Sequence, residues 1–291
     1  FAGVIADGCL WGRGAIDMKN MAAMSVAVIK RLAQERVPLD RDLIFAGVAD
    51  EEAGCKHGSF WLADHHPELV RAEFALGEGG GFNMHLGNKN FFVVQVAEKG
   101  VCWVKARVRG EPGHGSLPRP DSSVHKLAAG IERLRKKGLS RRVTPVMRDF
   151  VLALAEGQPA ALKALLPRLL EPGIAPHLLR LLPDQSVARA LGAMLGNTAS
   201  PTVLRAGSKT NVIPSLAEVD IDGRVLPGTT TEEFLAELQA VLGPEFELEV
   251  TNAWNPMVTS PRESSFLDCI HAVMADREPD APLVPYLMPG F

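Results

Sequence analysis

The sequence predicts an α/β fold in which a mixed sheet flanked by helices is interrupted by an inserted α+β domain. Short apolar runs alternate with helical patterns, and two of these runs, 43–49 and 73–77, end in acidic residues before glycine-rich turns. At residue 91 the character changes to alternating Val and aromatic residues. We therefore expect segments 1–92 and 255–291 to form one domain around an inserted domain at 93–254.

Composition excludes several classes of protein. The 291 residues are 46% hydrophobic and 22% charged, with a net charge of −3. The chain therefore has no excess of positive charge with which to bind nucleic acid or an anionic membrane. No apolar run approaches the roughly 18 residues that span a bilayer. The four cysteines have no paired spacing, which favours a reducing cytoplasm. A leader peptide cannot be judged, because the chain starts at Phe1.

The outer domain is expected to begin with a glycine-rich loop over residues 1–16. A helix from Asp17 to about Gln34 follows, because apolar side chains recur there at helical spacing: Met18, Met21, Ala22, Val26, Ile29 and Leu32. A buried strand from Leu43 to Asp50 is predicted next, and then a helix over about 57–64 and a strand over 73–78. A helix over 264–276 and a strand over 283–288 complete this domain.

The inserted domain has the predicted order β-β-α-β-β-α-β, which is close to a ferredoxin-like sandwich. A pair of strands is expected over 91–109, around Glu98-Lys99-Gly100, and a helix over about 123–136. Strands over 201–207, 217–225 and 245–252 and a helix over 231–242 complete the pattern. A helical insertion at about 145–200 separates its two halves, with breaks at these prolines: Pro159, Pro167, Pro172, Pro176 and Pro183.

Acidic residues at the ends of predicted strands are the first candidates for chemistry. Asp50, Glu51 and Glu52 are adjacent, and like charges at close range favour a bound cation or a shared proton. One carboxylate would then bind a metal ion while the other acts as a general base. The alternative for Glu51, Glu52 and Glu78 is a solvated acidic loop. For Asp17 the alternative to a metal ligand is a helix N-cap.

Three residues of the inserted domain are candidates for substrate binding. His114 lies between glycines, which suits a mobile donor to a developing oxyanion, although a lone loop histidine is commonly just exposed. Asn211 is either a binding residue or a simple turn residue. Arg224 is either an ordinary surface charge or a bidentate partner for a carboxylate.

The combination of these motifs resembles the M20 metallopeptidases, the family of aminoacylase-1, carboxypeptidase S, glutamate carboxypeptidase and succinyl-diaminopimelate desuccinylase. The motifs occur in the family's order along essentially the whole chain: Gly12-Arg13-Gly14-Ala15-Ile16-Asp17-Met18-Lys19-Asn20, Asp50-Glu51-Glu52-Ala53-Gly54, Glu78-Gly79-Gly80, Gly113-His114-Gly115-Ser116, Thr210-Asn211-Val212-Ile213-Pro214 and Arg224-Val225-Leu226-Pro227-Gly228. The third motif and the helical insertion indicate the carboxypeptidase S and aminoacylase-like branch.

The resemblance implies a zinc-peptidase-like catalytic domain with two zinc ions, or cobalt or manganese in their place. Asp17 would bridge the metals, Glu52 and Glu78 would ligate one each, and Glu51 would be the general base. The Asp17–Met18 peptide bond would be cis.

The resemblance also implies how the inserted domain would act on substrate, as a lid over the catalytic domain. His114, from the lid of a homodimer partner, would polarise the scissile carbonyl of a small peptide or N-acyl amino acid. Asn211 and Arg224 would hold the substrate, with Arg224 on its free carboxylate.

Two metal-ligating histidines of the family have no counterpart in this chain. The family places one in a His-x-Asp strand before the first motif and one near its C-terminus, and neither pattern occurs here. We therefore expect this chain to be a fragment of a longer protein. The fragment alone would bind zinc weakly, because imidazole is a preferred zinc ligand, and would be inactive.

Two other functions compete with hydrolysis. A non-catalytic relative, acting only in dimerisation or binding, would have no use for Glu51, which is not a metal ligand. A glycosidase needs two acids that face each other across a cleft, and the adjacent Glu51 and Glu52 do not offer that geometry naturally.

Overall fold

A computed structural model of the chain describes residues 2–87, 89–182, 184–255, 259–261 and 263–290. The chain forms two compact units, one ending at Glu78 and the other beginning at Gly79. This division differs from the three predicted segments, and the inserted lid remains a prediction. Pro183, one of the predicted helix breaks, lies outside the described residues.

The first unit contains a two-stranded hairpin and helices. Its elements are β1 (Val4–Ala6), β2 (Cys9–Trp11), α1 (Lys19–Gln34), a 3-10 turn (Glu51–Ala53), α2 (Ser59–His65) and α3 (Pro67–Val70). The predicted end of the long helix at Gln34 is confirmed. Of residues 2–78, Gly58 alone is fully buried, so this unit has no closed core of its own.

The predicted strands at 43–50 and 73–78 are wrong for this structure. Neither segment has strand conformation among the described residues, and Ile44 and Leu76 are 50% and 74% exposed. A strand needs a neighbour to satisfy its backbone N–H and C=O groups. The sheets formed by the described residues contain no strand that pairs with either segment.

The second unit carries most of the secondary structure. Its first elements are β3 (Asn83–Leu86), β4 (Lys89–Glu98), β5 (Gly100–Arg109), β6 (Gly113–His114), α4 (Ser123–Lys137), α5 (Pro145–Ala155), α6 (Ala160–Leu165), a 3-10 turn (Leu166–Leu170), α7 (Ala175–Leu181) and α8 (Gln185–Met194). There follow β7 (Thr198–Ala206), β8 (Val212–Ile213), β9 (Leu216–Val225), α9 (Thr231–Leu242), β10 (Phe246–Trp254), α10 (Ser265–Arg277) and β11 (Leu283–Met288). These bounds confirm the predicted elements from residue 91 onward to within a few residues.

The strands β4 and β5 do not pair with each other, contrary to the prediction for 91–109. β4 lies in a three-stranded sheet of order β11-β4-β3, and β5 lies in an antiparallel sheet of order β10-β5-β9-β7. Strand periodicity identifies strands but not their partners. The chain therefore crosses from one sheet to the other at Lys99, whose side chain is fully buried.

The four-stranded sheet and two helices form a β-α-β-β-α-β unit around one hydrophobic core. β5 and β9 alternate strictly between buried and half-exposed positions over most of their length, as expected for a sheet covered on one face. The buried side chains pack against α4 and α9, whose buried members are Leu127, Leu134, Phe234, Leu238 and Leu242. The capping box at Thr230 and Glu233 defines the start of α9.

A second hydrophobic core joins the helical insertion to the three-stranded sheet. Phe91 and Val93 of β4 and Leu287 of β11 pack with Met147 and Phe150 of α5. The helical insertion therefore covers the β4–β11 sheet. Among the described residues, no helix combines the length and the apolar character needed to cross a bilayer.

Candidate functional site

Asp17 lies at the end of the glycine-rich loop, immediately before α1. The backbone N–H of Lys19 donates to Gly14 O at 2.8 Å, and Lys19 Nζ donates to Arg13 O at 2.9 Å, so the loop is fastened to the start of the helix. The Asp17–Met18 peptide bond is cis, as the resemblance predicts. The N-cap interpretation of Asp17 is wrong, because Met18 is the N-cap and no side chain caps this helix.

Asp50 organises the turn that carries Glu51 and Glu52. Its Oδ2 accepts a hydrogen bond from His57 N at 2.8 Å, and its backbone is left-handed with φ 71°. Asp50 therefore supports the loop. The 3-10 turn that follows presents Glu51 and Glu52 as successive, exposed side chains.

The carboxyl of Glu78 is hydrogen-bonded to that of Asp17, although the two residues are far apart in sequence. Burial, the contact with Asp17 and the negative charges of Asp17, Glu51 and Glu52 together raise the pKa of Glu78. Two carboxylates in contact need a shared proton or a cation between them. The structure thus brings the four acidic residues of the sequence prediction into one electrostatic neighbourhood.

The Asp17–Glu78 pair has the donor chemistry of a zinc or other divalent cation site. Its oxygen donors are close together and short of positive charge, which a cation would provide. Within the described residues, however, no group of three or more His, Cys, Asp or Glu side chains is arranged to hold a metal ion. The pair fits part of a metal site, and the assignment of Asp17, Glu52 and Glu78 as ligands stays a prediction.

His114 and Asn211 are brought together in the second unit. β6 pairs with β8 so that His114 lies opposite Val212, and Gly115 N donates to Asn211 O at 2.8 Å. A Cβ at Gly115 would lie 3.3 Å from the Asn211 backbone, so glycine permits this close approach. Both His114 and Asn211 are exposed to solvent.

The imidazole of His114 is oriented by its own loop. Its Nδ1 accepts from Ser116 N at 3.2 Å and lies 2.7 Å from Ser116 Oγ. A ring nitrogen that accepts from a backbone N–H carries no proton, so the neutral ring carries its proton on Nε2. Nε2 is then the hydrogen-bond donor of the neutral ring.

Arg224 is held near the end of β9 by Asp222. Arg224 Nε and Nη2 donate to the two carboxylate oxygens of Asp222 at 2.8 and 3.3 Å, and the arginine side chain is 20% exposed. Gly290 leaves room for the guanidinium, because a Cβ there would lie 2.8 Å from Arg224 Nη1. Arg224 is therefore a fixed cation and not an ordinary mobile surface charge.

In the first unit the predicted site residues form the acidic cluster; in the second unit they form two groups, the His114–Asn211 pair and Arg224. Three neighbours of these groups were not predicted from the sequence: Ser116, Asp222 and Lys99. Ser116 lies within a motif already quoted, and Asp222 lies two residues before Arg224. For Lys99 the sequence contained one indication, because this lysine lies between two predicted apolar strands.

The comparisons with known proteins agree with the motifs. The model of peptidase family M20/M25/M40 matches residues 1–290. The chain is 28% identical over 301 residues to a probable carboxypeptidase S-like protein of Dictyostelium discoideum, covering 99% of this chain and 56% of that protein. It is 27% identical over 265 residues to aminoacylase-1 of Sus scrofa, covering 89% and 54%.

An N-fatty-acyl-amino acid synthase/hydrolase of Bos taurus is 29% identical over 275 residues, covering 92% of this chain and 53% of that protein. The chain thus spans about half the length of these relatives. A solved tripeptidase from Staphylococcus aureus has the same fold, with a TM-score of 0.52 at 14% identity, over 94% of this chain and 58% of that one. The chain belongs to the peptidase family M20/M25/M40.

Proposed function

We propose that the protein containing this chain is a metal-dependent hydrolase that cleaves an amide bond next to a free carboxylate. The observation that carries this proposal is the contact between Asp17 and Glu78, with Glu51 and Glu52 close enough to raise the pKa of Glu78. Membership of the peptidase family supports the same reaction class.

In this proposal Asp17, Glu52 and Glu78 would be the residues of this chain that hold the zinc. Bound zinc would polarise the scissile carbonyl and make the attacking water more acidic. Glu51 is the general base, which takes the proton from the attacking water and delivers it to the departing nitrogen. Its exposed position on the 3-10 turn leaves its carboxylate accessible to substrate.

The second unit supplies the groups that bind the substrate. His114 would donate from Nε2 to the carbonyl oxygen as negative charge develops there, and Asn211 would support the same oxygen. Arg224 would bind the free carboxylate of the substrate. We infer that the β-α-β-β-α-β unit is a ferredoxin-like lid that carries all three residues.

The His114–Asn211 pair and Arg224 lie at opposite ends of β9, and this separation supports a homodimer. Asn211 precedes the start of β9 at Leu216, whereas Arg224 lies near its other end. At ~3.3 Å per residue, the distance from Leu216 to Arg224 is about 26 Å, which is longer than a dipeptide. One chain cannot bring His114 and Arg224 to the same small substrate, so we propose that a second copy contributes His114 and Asn211.

The acyl side of the substrate is proposed from the relatives, whose names include carboxypeptidase S-like, aminoacylase-1 and N-fatty-acyl-amino acid synthase/hydrolase. Both N-acyl amino acids and small peptides satisfy the same site chemistry. The free thiols of Cys9, Cys55, Cys102 and Cys269 support a reducing, cytoplasmic location. We further propose that this chain alone is inactive, because it lacks histidine ligands that match the family pattern.

The competing function is a binding module without catalysis. It would use the lid for association and would leave Glu51 without a role. Among the described residues, no contact of the Glu51 side chain serves the packing of the 3-10 turn, and the hydrogen bonds described there involve the backbone, the Cys55 thiol and the Asp50 side chain. This observation favours the catalytic function.

A Glu51→Gln variant of the complete protein tests the proposal. We expect hydrolysis of N-acetyl amino acids to fall by ~10²–10⁴-fold in kcat, because general-base catalysis contributes about that much, while the bound zinc per chain stays the same. Glu156→Gln, which neutralises an exposed acid outside the site, is the matched control and should keep full activity. Unchanged turnover by Glu51→Gln would overturn the catalytic proposal in favour of the binding module.

A further inference from the structure

Lys99 is a fully buried lysine at the crossover between the three-stranded and the four-stranded sheet of the second unit. Its Nζ donates to Ala193 O at 2.9 Å, to Gly196 O at 2.9 Å and to Thr198 Oγ1 at 3.1 Å. An ammonium group has three N–H donors, so every donor is used. Lys99 is therefore not available to touch a ligand, and its three acceptors define the position of the segment from the end of α8 to the start of β7.

The segment that Lys99 holds is a direct neighbour of Arg224. Thr198 lies opposite Arg224 in the β7–β9 pair. Asn197 Oδ1 accepts from Leu226 N at 2.8 Å, and Asn197 Nδ2 donates to Glu237 at 3.0 Å, which fixes the turn after Arg224. A shift of residues 196–198 would thus move the backbone on both sides of the arginine.

The Arg224–Asp222 ion pair and the neighbouring Lys99 together carry a net positive charge when Lys99 is protonated. Arg224 and Asp222 form a neutral ion pair, and Lys99 adds one positive charge. Burial first, and then repulsion by Arg224, lower the pKa of Lys99 to about 7, while Asp222 acts in the opposite direction. Lys99 and Arg224 are thus within electrostatic reach of each other, and an anion at Arg224 would relieve the repulsion between them.

We propose that Lys99 is a positioning residue for Arg224, which holds the 196–198 segment in place and supplies the second positive charge that makes this position bind a carboxylate. The inference deepens the proposed function, since the ligand is the free carboxylate of the substrate. It assigns carboxylate selectivity to a buried ammonium that never contacts the substrate.

Binding of N-acetyl-L-leucine to the full chain tests this inference without any hydrolysis. The affinity is measured at pH 6 from the NMR shift of the Arg224 Nε–Hε resonance, assigned with an Arg224→Lys variant. Lys99→Met should weaken binding by about tenfold, because a neighbouring cation is lost. Lys137→Met removes an exposed lysine at the end of α4 and should leave the affinity unchanged.

If Lys99→Met does not fold, the affinity of the wild-type chain for N-acetyl-L-leucine, measured as a function of pH, still tests the inference. The charged groups that act on Lys99 are Arg224 and Asp222. Arginine stays protonated and carboxylates stay ionised between pH 6 and 8.5, so a loss of affinity through about pH 7 reports the deprotonation of Lys99. Lys99→Arg keeps the charge and should flatten this profile.

The outcomes separate the two proposals. Tight binding that neither pH nor Lys99→Met alters overturns the inference and leaves the role of Arg224 in the proposed function intact. A wild-type chain whose Arg224 resonance does not respond to N-acetyl-L-leucine overturns the proposed role of Arg224 and the inference together.

Discussion

At the scale of single residues, the contact between Asp17 and Glu78 is the feature with the clearest energetic consequence. Burial, the contact with the Asp17 carboxyl and the negative charges of Asp17, Glu51 and Glu52 raise the pKa of Glu78. Such repulsion costs stability when the metal is absent and favours metal binding when it is present. If the proposed metal site is correct, it exchanges stability of the metal-free protein for metal affinity.

A Glu78→Gln substitution should reveal this exchange. In EDTA we expect the variant to be more stable than the wild type by a few tenths of a kcal/mol, because the repulsion is removed but solvent screens it. In zinc titrations the same variant should bind less metal. Urea denaturation with EDTA and zinc stoichiometry measure the two effects.

Glu111→Gln, which neutralises an exposed loop acid of the second unit, serves as the control for that experiment. Loss of stability in EDTA by Glu78→Gln, without the same loss in the control, would mean that the Asp17–Glu78 contact stabilises the chain.

At the scale of elements, the close packing of β9 against β5 and α9 depends on one glycine. A Cβ at Gly223 would lie 2.3 Å from Cys102 O and 2.5 Å from Phe234 Cζ. Gly223 immediately precedes Arg224, so the same close approach positions the proposed carboxylate-binding residue. The lack of space for a Cβ, between a backbone carbonyl and an aromatic ring, determines the residue type here.

A Gly223→Ala substitution should therefore destabilise the chain by about 1–3 kcal/mol, the usual cost of overpacking a core. It should also weaken carboxylate binding at Arg224. Gly173→Ala is the matched control, because a Cβ at Gly173 meets no atom within 4 Å. Equal urea midpoints for the two variants would show that β9 can shift without cost.

At the scale of the whole molecule, the two units differ in how much they bury. Of residues 2–78, Gly58 alone is fully buried, whereas the second unit encloses two hydrophobic cores. Local stability follows buried apolar contacts. The acidic cluster therefore lies in the unit that has less burial to stabilise it.

Hydrogen exchange should show this difference directly. We expect amides of α1 to exchange at least about tenfold faster than those of β5 and β9, because opening of α1 exposes little new surface. Zinc should slow exchange in the peptides that contain Asp17 and Glu51. Mass spectrometry of the full chain with and without zinc provides the measurement, and equal protection of α1 and β9 would contradict the expectation.

The sequence alone determined the second unit well, because its signals are local. Alternating burial in β5 and β9, the capping residues of α9 and the prolines between helices each act within a few residues. The order of the six motifs was also enough to identify the family, which the comparisons confirm. Asp17, Glu51, Glu52 and Glu78 were selected as candidates in the same way, from three of these short motifs.

Only the tertiary structure decided which elements and side chains meet. It separated β4 from β5, left 43–50 and 73–78 without strand partners, and brought Glu78 into contact with Asp17. It also placed Lys99 Nζ on acceptors almost a hundred residues away, beside Arg224. The physical reason is the same each time. Hydrogen bonds and charges act through space, and the number of residues between two groups along the chain does not tell whether the groups meet in the folded protein.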